Sequence, residues 1–182
     1  MWVGEGPAPM CDSPFVPVRL WEGEGEARGA PLTLEPSLSP AMREGLTSYV
    51  GAVTSWVNGR DSVGAAGAMK SAVVLDPEDP AYRLMHGLFL IQCEDWKGAA
   101  DSFEAGAVLP DLPHRAASQR YWRGRALDVL GRRSEAVALY GEAARTAAFS
   151  PLITAARKGL HRRQKPSRRM MPDVFHADVY AY

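Results

Sequence analysis

The chain has 182 residues, of which 46% are hydrophobic and 23% charged; this is ordinary globular usage, sufficient for one domain with its own core and unlike a wholly disordered chain. Twenty-one Lys plus Arg balance 21 Asp plus Glu, giving a formal net charge of zero, so no global field selects nucleic acid or a charged membrane as partner. The longest apolar stretches, such as Leu88-Phe89-Leu90-Ile91, fall far short of the roughly 20 residues of a membrane-spanning helix.

The opening Met1-Trp2-Val3-Gly4-Glu5-Gly6 has neither the basic nor the apolar region of a secretory leader, so the expected location is cytoplasmic. Proline and glycine crowd the first 40 positions (Gly4, Gly6, Pro7, Pro9, Pro14, Pro17, Gly23, Gly25 and onward), and residues 1–38 are expected to be extended. From Ser39 to Arg163 the pattern becomes Ala-rich with a 3.6-residue period, predicting an all-α domain over 39–163. Three acceptor–proline pairs, Ser39-Pro40, Asp79-Pro80 and Ser150-Pro151, signal helix starts, and Asp61, Asp95 and Ser134 are further candidate N-caps. The predicted helices run near 40–58, 62–75, 80–93, 96–108, 115–130, 134–147 and 151–163. Residues 164–182 read as a tail, basic and then aromatic. Cys11 and Cys93 are too few for a disulfide framework or a four-ligand zinc site and are expected as free thiols.

An internal repeat is the strongest signal. Gly87, Ala99 and Phe103 recur as Gly124, Ala136 and Tyr140 at a constant offset of 37, and Ala65, Met69 and Ala72 precede Ala99, Phe103 and Gly106 by 34. Small residues where two helices cross, followed by an aromatic in the second helix, describe a helix-pair repeat. Over residues 45–150 these positions resemble the tetratricopeptide-repeat family, with Trp96, Leu127, Gly131 and Ala143 also fitting its pattern. The resemblance implies an antiparallel helix-pair (TPR-like) solenoid of about three repeats plus a capping helix. Val53 replaces the small residue of the first repeat, and the spacer around Pro110 to His114 is three residues longer. The repeat residues are read as packing, not chemistry.

The same resemblance implies function on the concave face made by the first helix of each pair, where an extended peptide or partner segment is held. In that register the groove presents Val50 and Thr54 with Thr47 and Val57 from the first repeat; Leu84, Leu88 and Ile91 with Ala81 from the second; and Tyr121, Arg125 and Asp128 from the third. Only Arg125 stands where chaperone-binding members carry their basic clamp, so a chaperone-tail clamp is not expected. An apolar groove of this kind is filled by a foreign protein partner, by self-association or by the chain's own tails. Seven basic residues between Arg157 and Arg169 occur without an acid; the bland reading is a solvated last helix with cations at its C-terminus, and nucleic acid is not expected because no aromatic is interleaved. His86, His114, His161 and His176 form no metal-like spacing, and no nucleophile elbow or phosphate-cradling loop occurs. No catalytic residue, cofactor or metal is expected, and the function implied is a non-catalytic interaction scaffold.

Residues 2–21 carry a second, short resemblance. Trp2-Val3, Gly6-Pro7-Ala8-Pro9 and Phe15-Val16-Pro17 are similar to the last strands of penicillin acyltransferase-like N-terminal-nucleophile hydrolases. The alternative function is therefore a C-terminal accessory or truncated segment of such an amidohydrolase or acyltransferase. Cys11 is internal, whereas that family's nucleophile is freed at a chain start.

Overall fold

Side-chain caps set the helix boundaries. The structure, a computed structural model, describes residues 39–109, 113–147 and 150–167; among these the chain forms seven α-helices and no strand. The Ser39 hydroxyl accepts from the Met42 amide at 3.1 Å and starts α1 (Pro40–Gly59). Asp61 accepts from Gly64 at 2.9 Å ahead of α2 (Ser62–Leu75), Asp79 from Ala81 at 2.7 Å ahead of α3 (Pro80–Gln92), and Asp95 from Gly98 at 2.8 Å ahead of α4 (Trp96–Ala107). Each satisfies an amide with no partner inside its helix. Then follow α5 (Pro113–Val129), α6 (Arg133–Thr146) and α7 (Ser150–His161).

Two start signals differ from expectation. Ser134 is the second residue of α6, because the chain turns helical at Arg133, and the preceding Arg132 makes no side-chain cap. Arg132 instead grips Glu135 with two 2.6 Å bonds. Ser150 is itself the first residue of α7. Residues 1–38, with Cys11 and the hydrolase-like stretch, lie outside the described residues, as do Pro110 to Leu112 of the long spacer and the aromatic tail from 168 onward.

Two local features recur in the structure at the 37-residue spacing. The turn after α3 places Glu94 at φ 62°, with the Asp95 amide donating to Leu90 O and the Glu94 amide to Ile91 O. Thirty-seven residues on, Gly131 takes φ 87°, with Arg132 N donating to Leu127 O and Gly131 N to Asp128 O. Both are left-handed helix stops of the Schellman type, for which glycine is the natural residue. A Cβ on Gly87 would run into the Phe103 ring, and one on Gly124 would lie 2.9 Å from Tyr140 Cε1.

Consecutive helices pack on each other from α1 through α7, and α5 also touches α3 and α7. Helix α3 is enclosed on several sides: Tyr82, Leu84, Met85, Gly87, Leu88, Phe89 and Ile91 are all buried, the pattern of a helix apolar all round. Stacked Tyr49 and Tyr82 (centroids 5.7 Å apart), and Trp56 against Phe89 (6.1 Å) two turns further along both helices, join α1 to α3. Ion pairs from Arg123 to Glu104 (2.5 Å) and from Arg120 to Glu142 (3.3 Å) run from α5 to α4 and α6.

Candidate binding face on the first helices of each pair

The eight predicted groove residues fall into two groups. On α1, Val50 is 47% exposed, and Thr54 with Thr47 and Val57 lines up beside it on an open stripe. On α3 and α5, by contrast, Leu84, Leu88, Ile91, Tyr121, Arg125 and Asp128 are all buried. The expectation that these six present an open groove is corrected to that extent. The physical reason on α3 is its central place, which makes its apolar positions core. On α5, Tyr121 packs against Trp122 and Tyr140, while Arg125 and Asp128 meet a different part of the chain.

That part is the stretch after α7. Residues 162–167 have no helical structure and lie against α5 through three hydrogen bonds. Arg163 Nε donates to the Asp128 main-chain oxygen at 3.0 Å, the Gln164 amide donates to Asp128 Oδ2 at 2.9 Å, and Arg125 Nη2 reaches Ser167 O at 3.4 Å. Just before the stretch, Arg133 Nη2 donates to Leu160 O at 3.0 Å. Gln164 meets residue 128 and Ser167 meets residue 125, so this strap runs antiparallel to α5.

Asp128 is the centre of the arrangement. Its carboxylate is fully buried and takes two bonds from Arg133 Nη1 (3.1 and 2.9 Å) and one from the Tyr140 hydroxyl (3.1 Å), besides the Gln164 amide. Charge, phenol and main-chain donors on one carboxylate satisfy the rule that a buried ion be paired and hydrogen-bonded. Burial, with the Asp128 charge beside it, pushes the Tyr140 phenol well above the ordinary tyrosine range, so it stays a donor at any physiological pH. Burial also raises Tyr121. Arg125 completes the face with its guanidinium 4.7 Å from the Trp122 ring centroid, a cation–π distance.

Sequence reasoning placed Asp128 and Arg125 on this face and missed Arg133, Tyr140, Arg163 and Gln164 as their partners. Tyr140 was assigned to packing, which it also does, with its ring against both Gly124 and Gly159. The basic run offered the only advance signal for the strap: Arg163, expected as a solvated cation, serves a helix C-terminus after all, that of α5 rather than of its own helix.

A second polar cluster draws on α2, α3, α4 and the cap of α4, where Lys70, Arg83, His86, Asp95, Asp101 and Ser102 border an open depression of about 350 Å³. The Ser102 hydroxyl donates to Arg83 O at 2.9 Å, and His86 Nδ1 lies 3.2 Å from Ser102 Oγ. With its proton committed to a carbonyl, Ser102 accepts from His86, the reverse of the polarity that activates a serine nucleophile. Burial first, then the positive charges of Arg83 and Lys70, lower the His86 pKa, so the ring is neutral near pH 7. His161 is exposed at the end of α7. Cys93, half-buried at the C-cap of α3, forms no disulfide among the described residues. Among the described residues no three His, Cys, Asp or Glu side chains converge to hold a metal ion, and no helix is long and apolar enough to cross a membrane.

No family model, curated protein or solved structure matches this chain.

Proposed function

We propose that the chain is a non-catalytic interaction scaffold of the tetratricopeptide-repeat kind, which holds an extended protein or peptide segment on the face formed by α1, α3 and α5. The observation that carries this reading is the strap: a stretch of non-helical main chain already lies on α5 and is read there by its amide, its carbonyl and one arginine. Recognition of main chain by a fixed helical face is what an extended-peptide site requires. The 37-residue recurrence of the glycine–aromatic contact and of the left-handed turn supports the repeat reading, and the open α1 stripe supplies a continuation of the face that a partner reaches directly.

The test uses a photoreactive amino acid placed at Val50 on the stripe and, in a parallel protein, at Val74, which is 73% exposed on α2. The expected result is a partner crosslinked in native lysate from Val50 and not from Val74. That partner is lost with Val50→Glu and Val57→Glu together, while the thermal midpoint is unchanged because both side chains are exposed. Equal capture from both positions, or capture that survives the glutamates, refutes the reading.

A further inference from the structure

The strap meets α5 through polar groups. Arg162, Arg163, Lys165 and Pro166 are exposed, Gln164 and Ser167 are half-buried, and the stretch contributes no apolar side chain to the core. Among its bonds to α5 are two that it donates, from the Arg163 side chain and the Gln164 amide, and one that its Ser167 carbonyl accepts. Such bonds exchange readily for those of another chain or of water, unlike buried apolar area. Asp128, moreover, keeps other partners without the strap. If Gln164 leaves, Asp128 keeps both bonds from Arg133 and the one from Tyr140, so no buried charge is orphaned. The Asp128 main-chain oxygen likewise keeps the Gly131 amide at 3.2 Å.

We infer that residues 162–167 are a displaceable internal ligand, and that the site around Asp128 and Arg125 accepts in their place a partner segment of the same chemistry: non-helical main chain with an arginine immediately before a free amide N–H. The arginine meets the C-terminal carbonyl of α5, where the helix dipole favours a cation, and the following amide meets the Asp128 carboxylate. A carbonyl three residues further on meets Arg125. The inference rests on reading the first-helix face as a peptide-holding surface and adds the partner's local sequence requirement and a means of regulation. A tethered strap competes at millimolar effective concentration, so a partner must either outbind it or arrive when it has been pulled away.

The test uses the full chain, ¹⁵N-labelled, titrated by NMR with the unlabelled peptide Gly-Leu-His-Arg-Arg-Gln-Lys-Pro-Ser, the sequence of residues 159–167. The wild type is compared with Arg163→Ala/Gln164→Pro, which removes the arginine and the amide donor from the strap. The expected result is an apparent Kd at least tenfold lower for the double variant, with shifts at Arg125 and Asp128. The same peptide N-methylated at its glutamine amide shows no such binding. Equal affinity for wild type and variant refutes the internal-ligand inference and leaves the peptide-holding reading standing. Binding to neither protein refutes both, and equal binding of the N-methylated peptide refutes the amide contact. Both substitutions lie beyond α7 on exposed or half-buried positions, so an unchanged helical signal is expected. Should the variant nonetheless misfold, amide exchange in the wild type decides: Gln164 is expected to exchange more slowly than Lys165, and equal rates overturn the inference.

Discussion

The Tyr140 ring sits between two glycines, Gly124 of α5 and Gly159 of α7, each of which would place a Cβ within 2.9 Å of it. Gly124→Ala is therefore expected to over-pack the crossing and cost about 1–3 kcal/mol, read as a lowered midpoint in urea. Gly51 supplies the contrast: it is exposed in α1 with nothing near its missing Cβ, so Gly51→Ala should stabilise by roughly 0.5–1 kcal/mol through helix propensity alone. Asp128→Ala would leave the Arg133 guanidinium without its carboxylate and the Tyr140 hydroxyl and Gln164 amide without their acceptor. A loss of about 3–5 kcal/mol is expected, against no measurable change for Glu135→Ala in the exposed Arg132 pair. His86 gives a pH signature. Its folded pKa lies below the ordinary 6.5, so the unfolded chain takes up the proton first, and stability falls as pH drops below about 6.5 until the folded value is passed. In His86→Asn, whose amide can replace the Nδ1 donor to Ser102, the midpoint should vary less between pH 7.5 and 5.5; an identical slope would show that another group controls it.

At the level of elements, the sequence carried the helices because their start signals are local. Ser39, Asp61, Asp79 and Asp95 each cap as their position before an Ala- or Phe-rich run implies. Ser134 misled because an N-cap signal is a two-residue choice that Arg132 and Gly131 settle: the left-handed stop at Gly131 delivers the chain already turned, and α6 begins at once. Gly131→Ala should accordingly cost about 1–2 kcal/mol by forcing an L-residue into φ 87°, measurable by the same urea titration. The groove was the least legible element. Its register assigns Leu84, Leu88 and Ile91 to the concave face, but periodicity reports only that a residue is apolar. It does not report whether a neighbouring element later closes over it. The partners of Asp128 were hidden for a related reason: Arg133, Tyr140 and Gln164 stand 5, 12 and 36 residues away, and no local pattern joins them.

Across the whole molecule, zero net charge conceals an uneven distribution in which exposed Arg157, Lys158, Arg162, Arg163 and Lys165 cluster at the C-terminal end. Stability is distributed just as unevenly. Helix α5 touches α3, α4, α6 and α7, and the bonds at Asp128 tie α6 and the strap to it, whereas α1 leans on α2 and, through two ring pairs, on α3. Arrays in which each unit rests mainly on its neighbours open from the less supported end. Native-state hydrogen exchange should thus show two tiers, with amides of α1 and α2 exchanging through partial opening and those of α5 and α6 only through global unfolding. The end with the open stripe would then be the loosest part of the protein, so a segment docking there would act as a clasp: its arrival would be felt as slowed exchange across α1 and α2, in backbone that it never touches.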